Sequence, residues 1–145
     1  MTYTRSDIVA EARRWIGTPY HHQASIRGIG TDCLGLVRGV WRALHGVEAE
    51  AVPAYTRDWA EATSTETMLA AARRHLIERD DAVAIPGDVL IFRYRTHAVA
   101  KHVGILSGPI SMIHAIEGRA VAEVPLGTWW RRHLAAAFAF PGIDP

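Results

Sequence analysis

The chain has 145 residues, enough for one domain with one core and too few for two comfortable ones, so residues 1–145 read as a single domain. Sixteen basic residues stand against fifteen acidic ones, a net charge of +1, so neither a nucleic-acid footprint nor a polybasic membrane patch is indicated. One cysteine excludes an internal disulfide framework, no stretch approaches membrane-spanning length, and Met1 to Asp7 lacks the apolar run of a secretory leader.

In chain order, Ser6 suits the cap of a first helix from Asp7 to Ile16, with Ile8, Val9, Ala12, Trp15 and Ile16 on its apolar face and Gly17 at its end. Trp15 reads as core. The polar stretch from Thr18 to Ser25 comes next, with Tyr20 and the adjacent His21 and His22. No Cys, Asp or Glu lies within it to complete a ligand set, so neither a metal nor another cofactor is expected. Gly28 and Gly30 suit an irregular loop, and Asp32 has the short acceptor side chain that caps first-turn amides.

From Cys33 onward Leu36, Val37, Val40, Trp41 and Leu44 keep the spacing of a helix that buries one face, until Gly46 stops it. Cys33 therefore sits at a helix N-terminus, where unpaired amides and the macrodipole favour an anion, and a thiolate is expected there at neutral pH. Gly35 and Gly39, four apart, clear one strip of this helix for close packing, for which a sheet is the expected partner.

Glu48 to Thr56 reads as loop around Pro53, and Arg57 to Arg79 as helical pattern broken at Thr63 to Thr65, with Met68, Leu69, Ala72, Leu76 and Ile77 as its buried stripe. After the turn Pro86-Gly87-Asp88 the composition shifts to strand: Val89 to Phe92, Val103 to Leu106, Ser111 to Ala115, Ala120 to Val124 and Ala135 to Phe140. Helices first and strands after argue an α+β fold, an antiparallel sheet of hairpins packed on the cysteine helix. Ser107-Gly108-Pro109 and Glu117-Gly118-Arg119 read as the hairpin turns.

If Ser107 to Pro109 form a three-residue loop, Leu106 faces Ile110, Gly104 faces Met112 and His102 faces His114. Two histidines then share one face of the sheet. With Cys33 they make a nucleophile, a base and an orienter: His102 exchanges a proton with the sulfur, His114 fixes the imidazole, and the Cys33 amide donates to an oxyanion.

These residues carry a resemblance. The segments Trp15-Ile16-Gly17-Thr18-Pro19-Tyr20, Thr31-Asp32-Cys33-Leu34-Gly35-Leu36-Val37, Pro86-Gly87-Asp88-Val89-Leu90, His102-Val103-Gly104-Ile105 and Met112-Ile113-His114-Ala115 resemble, in order, the NlpC family of papain-like cysteine peptidases, and most of all its small phage and gene-transfer-agent branch. The resemblance implies a papain-like fold and a cell-wall peptidase that hydrolyses the γ-D-glutamyl to diaminopimelate amide of peptidoglycan stem peptides. It implies Cys33 as nucleophile, His102 as base, His114 as third polar residue, Tyr20 as the hydroxyl that assists the oxyanion, and Asp32 as the match of a residue that helps bind the stem's free amine. It further implies a place at the tail tip or baseplate of a phage-like particle, which would carry a leaderless protein to the wall during DNA delivery. Two positions depart from the pattern: Leu34 stands where many relatives have serine, and His22-Gln23-Ala24 where they have paired glycines.

Two other readings remain open. The fold could serve as a tail-tip adaptor with an unused cleft, for which Trp129-Trp130-Arg131-Arg132-His133 offers interface residues, although one tryptophan packed under the sheet beside solvated arginines explains the same stretch. The same triad could also serve a thiol amidase or acyltransferase.

Overall fold

The computed structural model describes residues 3–49 and 66–143. The first helix, α1, spans Arg5–Arg13 and is capped two residues earlier than Ser6 would place it. Thr4 Oγ1 accepts from the Asp7 amide, and Asp7 Oδ2 accepts from the Thr4 amide at 2.8 Å. This reciprocal box satisfies two orphan donors where a serine cap alone satisfies one, which is why Thr4 wins. Ile8, Val9 and Ala12 are buried, and Trp15 is buried beyond the helix end, whereas Ile16 is exposed.

A small hairpin that the sequence disguised as irregular loop comes next: β1 (Ser25–Ile26) pairs with β2 (Gly30–Thr31) around Gly28 at φ +80°. The second helix, α2, spans Cys33–His45 and ends at Gly46 in the left-handed conformation, as the spacing predicts. Its glycine strip is used differently from the expectation. A Cβ on Gly39 would lie 2.0 Å from Trp15 Cζ2 and one on Gly35 2.0 Å from the Ala24 carbonyl oxygen, so an indole and the β1 loop, not the sheet, occupy the strip.

Residues 57–65 of the expected long helix lie outside the described residues, as do residues 50–56 of the loop before it. The chain continues with α3 (Thr67–His75), which buries Met68, Leu69 and Ala72, and then with a strand, β3 (Ile77–Arg79). Ile77 continues the helical spacing in the sequence but pairs with Ala139 and is 56% exposed. The remaining elements are β4 (Val89–Phe92), β5 (His102–Gly108), β6 (Ser111–His114), β7 (Ala122–Pro125), a short α4 (Thr128–Arg132) and β8 (Leu134–Ala139). Together β3 to β8 form one antiparallel six-stranded sheet in the order β3-β8-β4-β5-β6-β7. The α+β expectation holds.

Alternation sorts the strands into two apolar layers. Val89, Ile91, Val103, Ile105, Ile113 and Phe138 join Ile8, Trp15, Leu36 and Val40 in the larger core. Leu90, Phe92, Leu106, Met112 and Ala137 form a smaller cluster with Trp130, Leu126 and Leu134 packed against it. A buried ionic clamp ties the start of the N-terminal helix to the sheet: Asp88, fully buried, takes Arg5 at 2.7 Å and Arg79 at 3.1 Å.

Candidate active site

The position of Cys33 is set from both sides. Asp32, 3% exposed, caps α2 through Oδ1, which accepts from the Gly35 amide at 2.7 Å, and its Oδ2 accepts from the Gln23 amide at 2.8 Å. Both carboxylate oxygens thus hold backbone that frames Cys33. Gln23 makes its bond from a left-handed backbone at φ +66°, at one of the positions where relatives are expected to carry glycine. On the other flank Pro19 to His21 runs beside Thr31: the Thr31 amide donates to the Pro19 carbonyl and the His21 amide to the Thr31 carbonyl, each at 3.0 Å. Tyr20 is thereby paired with Thr31, two residues before the cysteine.

Cys33 is partly buried, and its Sγ contacts the Lys101 carbonyl at 3.9 Å, while the Val103 amide also points toward the sulfur. Those two groups bracket His102 along the chain. The expected thiolate is not what this environment favours. Burial pushes the Cys33 thiol up to about 12, and the Asp32 carboxylate pushes the same way. The amides of Val103, Leu34 and Cys33 itself pull downward and lose. The helix terminus favours an anion, but desolvation of the sulfur outweighs it.

His102 and His114 come together, by a register other than the expected one. Gly108 pairs with Ser111, so the loop is only Pro109 and Ile110, and a bulge between Leu106 and Gly108 sets Leu106 opposite Met112 and Gly104 opposite His114. The register differs by two residues from Gly104 opposite Met112, and a shift of two preserves the face of every side chain where a shift of one would invert it. His102 therefore meets His114 diagonally, Nε2 to Nδ1 at 2.9 Å. The residue between them on that face has no Cβ. One placed on Gly104 would stand 3.3 Å from His114 Cβ and 3.2 Å from Met112 Sδ.

Both imidazoles are held neutral. Burial, then the proximity of His114, brings His102 down to about 3, and burial brings His114 down to about 4. If Nε2 of His102 donates to His114 Nδ1, the Nδ1 of His102 is bare and able to take a proton, and His114 keeps its own proton on Nε2. The thiol and both imidazoles are thus neutral at rest.

Three further side chains belong to this site and were missed in the sequence. Phe92, Tyr94 and Trp130 lie 5.9, 5.9 and 5.2 Å from the His102 ring, inclined 37°, 30° and 29° to it. Burial raises the Tyr94 hydroxyl above the ordinary tyrosine value, and the neighbouring Cys33 and Tyr20 add to this. Alternation of Phe92 and Tyr94 about Arg93 was the available signal, but nothing local tied it to His102. Trp130 is the tryptophan packed under the sheet, and Trp129 stays 49% exposed beside exposed Arg131 and Arg132. Among the described residues no group of three His, Cys, Asp or Glu side chains converges as a metal site.

The model of the NlpC/P60 family matches residues 17–138, a span that holds Tyr20, Cys33, His102 and His114. Among solved structures, an NlpC/P60 family protein from Bacillus cereus is similar at a TM-score of 0.71 and 21% identity, over 97% of this chain and 41% of that one. The NlpC/p60 domain of the peptidoglycan hydrolase SagA is similar at 0.69 and 23%, over 94% of this chain and 99% of that one. The peptidoglycan hydrolase RipB from Mycobacterium tuberculosis is similar at 0.59 and 18%, over 97% and 65%. This chain thus spans less than half of the Bacillus cereus protein and nearly all of the SagA domain. No curated protein matches the sequence.

Proposed function

Because the chain belongs to the NlpC/P60 family, we propose that it is a cysteine peptidase that hydrolyses an amide bond in peptidoglycan stem peptides, with Cys33 as nucleophile and His102 as base. The observation that carries this reading is the hydrogen-bonded His102–His114 pair at the strand end against which the Cys33 sulfur rests. In the proposed reaction the sulfur attacks the amide carbonyl as its proton passes to His102 Nδ1. The oxyanion forms near the start of α2, within reach of the Cys33 amide, with the Tyr20 hydroxyl as the second donor. Collapse breaks the C–N bond, His102 returns the proton to the leaving amine, and a water activated by the same imidazole hydrolyses the thioester. His114 holds the ring throughout and touches no substrate.

The finer reading names the γ-D-glutamyl to diaminopimelate bond, and a place at the tail tip of a phage-like particle. Both rest on the ordered motif resemblance. Asp32 caps α2 and holds the Gln23 amide, and the motif resemblance also gives it the stem's free amine. The test is digestion of purified peptidoglycan with wild type and Cys33→Ala, followed by mass spectrometry. Wild type should release fragments ending in a new D-glutamyl carboxylate and the variant none; equal release by both ends the proposal. Proteomics of purified particles tests the location, and absence of the protein from them removes it.

A further inference from the structure

We propose that Tyr94 and Trp130 are positioning residues that hold the His102 imidazole in its hydrogen bond to His114. The proposal rests on the peptidase reading for its kinetic arm only. Among the described residues His102 has a single ring hydrogen bond, to His114 at 2.9 Å, and one such bond is a pivot about which a ring can rock. Rocking would loosen that bond and displace Nδ1, the atom that takes the proton in the proposed reaction, and a displacement of about 1 Å at a reacting atom can lower a rate by ~10²-fold. Stacked rings oppose that motion. Trp130 lies 5.2 Å from the imidazole at 29° and Tyr94 5.9 Å at 30°, while His114 meets its edge at 81°.

The two rings come from different segments, and each segment is pinned. Tyr94 follows Arg93, whose guanidinium bonds the Ala98 carbonyl at 2.9 Å and Glu66 at 2.7 Å, and Glu66 also accepts from the Ala100 amide at 2.8 Å. Lys101 places its ammonium 5.6 Å over the Tyr94 ring. Trp130 sits on α4, and the Arg93 amide donates to the His133 carbonyl at its end, at 2.9 Å, so the two ring-bearing segments are joined directly. Trp130 also meets Phe92 at 5.0 Å and Trp129 at 4.8 Å.

The test compares Tyr94→Leu and Trp130→Leu with Tyr94→Phe and Trp130→Phe in the full chain. Titratable or charged groups around His102 are His114 on β6, Cys33 on α2, Tyr20 before β1, and Tyr94 and Lys101 on the β4–β5 connection; Arg131 and Arg132 of α4 are exposed. All but Tyr94 are kept in every variant. The leucine variants should lower kcat on a soluble disaccharide-tetrapeptide by ~10- to 100-fold with KM little changed, and the phenylalanine variants should restore it. In parallel, NMR titration of the His102 ring protons should move upward in the leucine variants, as water reaches the ring, and stay as in wild type in the phenylalanine ones. The NMR arm needs no turnover, so it decides the proposal even if wild type cleaves no muropeptide, an outcome that would sink the peptidase reading instead. An unchanged His102 titration in folded leucine variants overturns the proposal, as does failure of phenylalanine to rescue. Should a leucine variant not fold, methionine at the same position replaces it.

Discussion

Lowering the pH from 7 to 5 should cost this protein stability through two buried residues, His102 and His114. His102 and His114 titrate near 3 and 4 in the folded chain, against about 6.5 when unfolded. Their folded values are depressed, so their contribution is fully present above 6.5 and is lost as the pH falls, because the unfolded chain takes up protons that the folded one refuses. At pH 5 each is about 1.5 units below the unfolded value, which at 1.36 kcal/mol per unit gives about 2 kcal/mol each and about 4 together. Set against a total of roughly 5–15 kcal/mol, this is a large fraction. The assay is urea unfolding of wild type and of His102→Asn/His114→Asn at both pH values. Every other ionisable group is common to both proteins and cancels in the comparison. Wild type should lose about 4 kcal/mol more than the variant between pH 7 and 5. Equal losses would mean that the pair is solvated or already charged, and the neutral resting site would have to be given up.

The other predictions concern the thiol and the backbone around it. Because burial holds Cys33 up to about 12, its alkylation by iodoacetamide should rise only at pH values above the ~8.5 of a free cysteine, and return to that value in guanidinium; a fast plateau below pH 7 would restore the thiolate–imidazolium pair. Gly39→Ala should destabilise by about 1–3 kcal/mol despite the helix preference of alanine, since its Cβ would meet the buried Trp15 ring, and a melting temperature equal to wild type would refute that packing. Gly35→Ala should in addition slow turnover, because its Cβ meets the Ala24 carbonyl in the loop that frames Cys33; a wild-type rate would show that the loop yields without disturbing the sulfur. Gln23→Gly should stabilise by up to ~1 kcal/mol by relieving the left-handed residue, and a clear loss of stability would mean that the side chain, not the backbone, selects that conformation.

How much could be read from the sequence depended on the range of the forces concerned. The α2 boundaries were legible because Asp32 and Gly46 act within one turn of the helix they end. The shared face of His102 and His114 was legible because strand periodicity is local, yet their register was not, since the bulge that shortens the loop to Pro109 and Ile110 depends on how the pair fits the whole sheet. Ile77 fits a helical stripe by spacing, and only a strand about sixty residues later decides otherwise. The thiol is the sharpest case. A helix N-terminus can be read from sequence, but the burial that overrides it is a property of everything packed around the sulfur. Tyr94 and Trp130 were missed for the same reason: no spacing relates either to His102.

The position of β8 bears on how the chain is made. It lies between β3 and β4, so the strand that joins them in the sheet is the last of the eight to leave the ribosome. Until Leu134–Ala139 emerges, β4 carries an open edge of unpaired amides and carbonyls, and Ile77–Arg79 has no sheet neighbour at all. Trp130, just upstream of that strand, has no finished sheet to settle on. A nascent or prematurely stopped chain therefore exposes two hydrogen-bonding edges that invite pairing with another copy, while its histidine pair is already synthesised but not yet enclosed. Overproduction at low temperature, which slows aggregation of such edges relative to their closure, should raise the soluble yield far more than lengthening induction does.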